Sequence, residues 1–219
     1  MLHVEGLLAG YGRRPLAELG ALDVKPGETA LLLGPSGSGK TTLLLAMAGL
    51  ADVLGGVVTL GGEPLSEVSR SERDKERGRS IGLVFQDLHL IPGLSTLDNV
   101  LLAPFASRMP QDRQRALSLL AELGLEAQAH RRAETLSRGQ AQRAAIARAM
   151  LLKPKLILAD EPTASLDDEA CERVAELLSK AAVETGAALV IATHDQRLRA
   201  RAAIVVHAVP VVARKASAA

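Results

Sequence analysis

Residues 34–41 read Gly-Pro-Ser-Gly-Ser-Gly-Lys-Thr, directly after the short apolar run Thr29–Leu33 and at the start of a helix-forming stretch from about Lys40 to Leu50. The segment fits G-x-x-x-x-G-K-[ST] at every fixed position, in the strand–loop–helix setting the pattern requires. Its glycines let successive backbone N–H groups turn inward around anionic oxygens, and the helix N-terminus adds partial positive charge. Lys40 is placed to neutralise β- and γ-phosphates and the Thr41 hydroxyl to ligate Mg²⁺, with Gly34, Pro35, Ser36, Gly37, Ser38, Gly39 and Thr42 completing the cradle. A plain Gly/Ser-rich turn has no need of Lys and Thr at those two offsets. The segment demands an α/β protein with a phosphate ligand.

A second apolar run, Leu156–Ala159, ends in Asp160 and Glu161. Strand carboxyl ends are where open α/β sheets bind ligands. Asp160 suits the Mg²⁺ shell and Glu161 the polarisation of an attacking water. Taken alone, two carboxylates at a strand end also mark the start of many loops. With the phosphate loop upstream they become its expected partners.

Further strands are expected at Val57–Leu60, Ile81–Phe85 and Ala188–Ala192, with a helix from about Asp168 to Glu184. From Leu97 to Leu152 the periodicity is helical throughout. Ala116, Leu119, Leu120 and Leu123 form one apolar stripe ended by Gly124, and Ser137 is placed to cap a helix running to about Leu152. Ser69–Arg79 is dense in charge and reads as a solvated face. This order gives an α/β core, at about 1–86 and 154–219, with an α-helical lobe inserted at about 87–153. Right-handed crossovers make the core sheet largely parallel.

Leu136-Ser-Arg-Gly-Gln140 precedes the Asp–Glu pair by about twenty residues. Here the chain resembles the ATP-binding subunits of ABC transporters over essentially its full length. Leu136–Gln140 looks like the ABC signature, usually Leu-Ser-Gly-Gly-Gln. Gln86 after Ile81–Phe85 resembles the Q-loop, Ser165-Leu-Asp167 the D-loop, and Thr193-His194-Asp195 the switch histidine. Tyr11, 23 residues before Gly34, resembles the aromatic that stacks on adenine.

The resemblance implies a P-loop NTPase core, mostly parallel, with an N-terminal antiparallel β part, in one ABC ATPase domain spanning 1–219. It implies a head-to-tail homodimer with two ATP molecules sandwiched. Ser137, Gly139 and Gln140 then meet the partner's nucleotide, Asp167 communicates across the dimer, His194 positions water at the γ-phosphate, and Gln86 senses Mg²⁺ and water. Arg138 departs from the usual pattern by replacing the first signature glycine, and is expected to face solvent. The ATPase is expected at the cytoplasmic face of the cell (inner) membrane, peripheral, and driving an integral membrane permease or mechanotransmission subunit. The stretch Ile81–Val100 looks most like lipoprotein-release and macrolide-export systems, and a cell-division ABC ATPase or a conventional importer stays open. Leu88, Leu90 and Ile91 are candidates for the groove that receives the membrane partner.

Composition excludes other readings. Lys and Arg total 26 against 25 for Asp and Glu, which leaves no concentrated positive field for nucleic acid. Only Tyr11, Phe85 and Phe105 carry aromatic rings, too few to stack a strand of bases. The single cysteine, Cys171, excludes an internal disulfide. A small-molecule kinase would share the phosphate loop and lack the signature helix.

Overall fold

The computed structural model describes residues 1–65, 74, 77–164 and 166–211. Most of the charged run Ser69–Arg79, the residue Ser165 and the Ala-rich tail lie outside them. A parallel sheet is built from β3 (Thr29–Leu33), β6 (Ile81–Val84), β7 (Leu156–Asp160), β8 (Ala188–Thr193) and β9 (Ile204–His207), in the order β6-β7-β8-β3-β9. An antiparallel sheet joins β1 (Leu2–Tyr11), β2 (Arg14–Val24), β4 (Asp52–Leu60), β5 (Glu63–Pro64) and β10 (Val209–Pro210), in the order β10-β2-β1-β4-β5. The helices are α1 (Lys40–Met47), α2 (Thr96–Ala106), α3 (Arg113–Glu122), α4 (Arg138–Met150) and α5 (Asp168–Thr185).

Strands β3, β7 and β8 are buried at every position, as parallel strands covered on both faces must be. Their alternation splits the core in two. Leu31, Leu33, Ile157, Ala159, Leu189 and Ile191 face the cluster that holds Leu97, Leu120, Ile146 and Leu178 of the helices. Ala30, Leu32, Leu156, Leu158 and Val190 face the cluster that holds Leu2, Leu7, Val58 and α1. Each fully buried leucine contributes roughly 2 kcal/mol of apolar transfer, so the parallel sheet is fixed from both sides and its carboxyl edge is rigid.

Sequence expectations hold closely where one period dominates. The stripe Ala116–Leu123 lies on α3 and its extension, and α4 starts at the Ser137 cap. α1 stops at Met47, short of Leu50, because Gly49 turns the chain with φ 68°. β4 begins five residues before the expected Val57, because Gly55 and Gly56 carry the strand through a register shift against β1.

Candidate active site

Four parallel strands deliver their carboxyl ends to one edge. β3 leads into residues 34–41, β6 into Gln86, β7 into Asp160 and Glu161, and β8 into Thr193 and His194. An open cleft of about 430 Å³ forms there, with Leu16 of β2, Gly37, Lys40, Thr41, Gln86 and Glu161 among its walls.

The loop's glycines are required by space as well as by backbone angle. A Cβ on Gly34 would meet Ser38 Oγ at 2.4 Å, and one on Gly39, at φ 85°, would meet Ala17 Cβ at 2.3 Å. β2 thus clamps the loop from the antiparallel sheet. Lys40, 6% exposed, donates to the carbonyls of Gly34 at 2.8 Å and Pro35 at 3.2 Å. It also lies 3.2 Å from Glu161 Oε1. Phosphate oxygens entering the loop would compete with Glu161 for this ammonium group.

Glu161 holds φ 44°, a left-handed conformation that costs of order 1 kcal/mol for a residue with a side chain. Its N–H donates to Ala192 O of β8 at 2.8 Å, which pins the turn. The side chain is held on every side. Thr193 Oγ1 donates to Oε2 at 2.9 Å, and His194 Nδ1 lies 3.0 Å from Oε1 and 3.1 Å from Oε2. Burial works against the charged carboxylate, but the bonds from His194, Thr193 and Lys40 outweigh it and hold the group below its usual range. An ionised carboxylate offers no proton, so Nδ1 of His194 is the donor.

Asp160 is 7% exposed and behaves oppositely. Burial raises its carboxyl above the usual range, partly countered by the hydrogen bond from Thr41 and reinforced by the neighbouring Glu161 charge. Thr41 Oγ1 donates to Oδ2 at 2.8 Å, while Oδ1 is buried without a hydrogen-bond partner among the described residues. A buried, unpaired carboxylate oxygen beside a threonine hydroxyl fits a hard cation. The described residues contain no cluster of three or more His, Cys, Asp or Glu for a metal. A cation held here would need its remaining oxygens from phosphate and water, which fits Mg²⁺.

The other expected residues stand apart from this cleft. Ser137 and Gln140 form a capping box at the start of α4: Gln140 N donates to Ser137 Oγ at 3.3 Å and Ser137 N to Gln140 Oε1 at 2.9 Å. Gly139 is exposed, with no described residue within 4 Å of a Cβ built on it. Arg138 is exposed as expected, and its guanidinium also reaches Ala164 O at 3.3 Å. Asp167 caps α5 through Ala170 N at 2.7 Å. Tyr11 stands at the β1–β2 hairpin opposite Arg14, half exposed.

Of the residues after Gln86, Leu88 and Leu90 are partly buried, Leu90 against the helical core, and Ile91 is exposed. A neighbouring apolar groove of about 320 Å³ is lined by Phe85, His89, Leu102, Ala103, Ala149 and Arg148 among others. Sequence reasoning also passed over Thr193 as a donor to Glu161, although it sits beside His194 in the same quoted triplet.

A mononucleotide cleft with its phosphate loop, Thr–Asp pair and held carboxylate is that of a P-loop nucleoside triphosphatase. The family follows from comparison. A family model described as ABC transporter matches residues 20–164, and the chain belongs to that family. Lipoprotein-releasing system ATP-binding protein LolD 2 of Rhodospirillum rubrum is 40% identical over 200 residues, covering 90% of this chain and 85% of its own. The uncharacterized ABC transporter ATP-binding protein YbbA of Escherichia coli K12 is 41% identical over 196 residues, covering 88% of this chain and 86% of its own. The dimeric structure of MJ0796, a bacterial ABC transporter cassette, matches with a TM-score of 0.80 at 34% identity over 94% of each chain. A second dimeric structure of that cassette is a post-hydrolysis state bound to ADP and Pi.

Proposed function

We propose that this chain is the ATP-hydrolysing subunit of an ABC transporter, one domain over 1–219, that closes as a homodimer on ATP and drives a separate integral membrane subunit. The ATPase works as a peripheral subunit at the cytoplasmic face of the inner membrane; separately, no helix among the described residues is long and apolar enough to cross a membrane. The process driven is lipoprotein release, in line with the relatives named LolD, or a related export by mechanotransmission. The apolar groove beside Phe85 and Leu102 receives the membrane partner.

One observation carries the reading. Glu161 is ionised, ion-paired to the phosphate-loop lysine and bonded to His194, in the cleft a triphosphate would fill. Its carboxylate is the base that takes the proton of the attacking water. Lys40 and the loop N–H groups bind the phosphates, Tyr11 stacks on the base, and His194 orients the water through its ring. Thr41, Asp160 and Gln86 would hold Mg²⁺, which would supply positive charge to the bound phosphates.

Gly139 supports the dimer. Among the described residues nothing crowds it, which leaves room there for the partner's nucleotide, met by Ser137, Gly139 and Gln140, with Asp167 contributing across the dimer. Glu161→Gln trapped with ATP in native membranes tests the whole reading. Co-purification of a partner with few spans and a large extracytoplasmic domain supports it. A many-spanning permease moves the chain to a conventional transporter, and a soluble partner overturns the membrane role.

A further inference from the structure

The turn after β8 is fastened by charges that the ATPase reading does not use. Asp195 caps the 3₁₀ helix Gln196–Arg201, and its carboxylate receives Arg197 Nε at 2.9 and 3.0 Å and Arg197 Nη2 at 2.6 Å. Thr163 Oγ1 adds a bond at 3.3 Å and Cys171 Sγ one at 3.5 Å. The backbone N–H of Asp195 donates to Thr193 Oγ1 at 3.0 Å, and that same hydroxyl donates to Glu161 Oε2 at 2.9 Å. A continuous line thus runs from Arg197 through Asp195 and Thr193 to Glu161. On the far side, Arg197 Nη1 pairs with Asp168, and Arg201 pairs with Glu172. Both acids lie on α5, four residues apart, and both arginines on the facing turn at the same spacing.

Magnitudes separate these contacts. Asp168 is 91% exposed and Glu172 50%, so each outer pair contributes little. Asp195 is 13% exposed and held by a planar fork, the arrangement in which charge-assisted bonds are strongest. Its carboxyl is lowered to about 2, chiefly by Arg197.

We infer that Arg197 is a positioning residue for ATP hydrolysis: by locking Asp195 it fixes the Thr193–His194 turn that aims Glu161, while its second arm on Asp168 ties that aim to the start of α5. This rests on Glu161 being the base. Arg197 touches neither the phosphate loop nor the Thr41–Asp160 pair, so its loss acts on the chemical step and spares nucleotide binding.

The experiment is steady-state ATP hydrolysis by the full chain, resolved into kcat and the ATP KM, comparing Arg197→Gln, Arg197→Lys, Arg201→Gln and Glu161→Gln. Arg197→Gln is expected to lower kcat between about tenfold and a hundredfold, the scale of a small misplacement, with the ATP KM within about twofold. Arg197→Lys keeps the charge but loses the fork, and falls between. Arg201→Gln, which breaks only the outer clasp, keeps wild-type kcat. Equal losses for Arg201→Gln and Arg197→Gln, an unmoved kcat in Arg197→Gln, or a loss in Arg197→Gln that falls on the ATP KM instead of on kcat, overturn the inference. Retained turnover in Glu161→Gln overturns the underlying base assignment instead.

Discussion

Consider Glu161→Gln in detail. The substitution keeps the shape and removes one charge from a side chain contacted by Lys40 at 3.2 Å, Thr193 at 2.9 Å and His194 at 3.0 Å. The amide oxygen can still face Lys40, and Lys40 retains the carbonyls of Gly34 and Pro35. The amide nitrogen replaces one acceptor, so about one net hydrogen bond is lost, roughly 1 kcal/mol, or a fall of about 2–4 °C in Tm for a chain of this size. Proton abstraction is a different matter. Loss of a positioned general base costs about 10²–10⁴ in rate, equivalent to roughly 3–5 kcal/mol of barrier. Binding moves the other way, because Lys40 no longer has a carboxylate competing with phosphate. Phosphate release at saturating ATP, with nucleotide affinity by calorimetry, measures both. A kcat within a factor of about three of wild type would refute the base assignment, and a loss of ATP affinity would refute the competition for Lys40.

Lys40→Ala is expected to weaken ATP binding by at least about 30-fold, the cost of an unpaired buried charge contact, read by calorimetry; unchanged affinity removes Lys40 from the phosphate site. Gly39→Ala should lower stability by about 1–3 kcal/mol, since its Cβ would meet Ala17 Cβ at 2.3 Å from a φ of 85°, and thermal unfolding checks it. Gly139→Arg should leave Tm unchanged, because the site is open in its own chain, while abolishing ATP-driven dimerisation in the Glu161→Gln background; a dimer that still forms refutes the trans role. Asp195 is lowered from 3.8 to about 2 in the fold, so it stabilises above about pH 4 and that stability drains as pH falls towards about 2. Acid unfolding of Arg197→Gln should therefore show a shallower pH dependence in that window than wild type.

The sequence was most legible where one physical demand acted alone. β3, β7 and β8 are short, wholly apolar runs because both faces are covered, and the phosphate loop carries its own chemistry. The hairpin β1–β2 was harder to read as individual strands. Its alternation is interrupted by register shifts near Gly10 and between Glu5 and Leu8, so no clean period of two survives. The pairings that build the site are also silent in sequence. Lys40 meets Glu161 across 121 positions of chain, and Arg197 meets Asp168 across 29. Only the register of β3, β7 and β8 brings them to one edge. The turn after Gln86 was likewise not legible: Leu88 and His89 both hold positive φ, and Leu90 packs partly buried against the helical core while Ile91 stays exposed.

If a second copy of the chain completes the catalytic cleft, hydrolysis must depend on dimerisation. The ATP hydrolysis rate per chain is measured as wild-type concentration is raised, with sedimentation under the same conditions. A per-chain rate that climbs with concentration and levels off as the ATP-bound dimer fills is the expected result. Full hydrolysis by a chain that sediments as a monomer with ATP would contradict it.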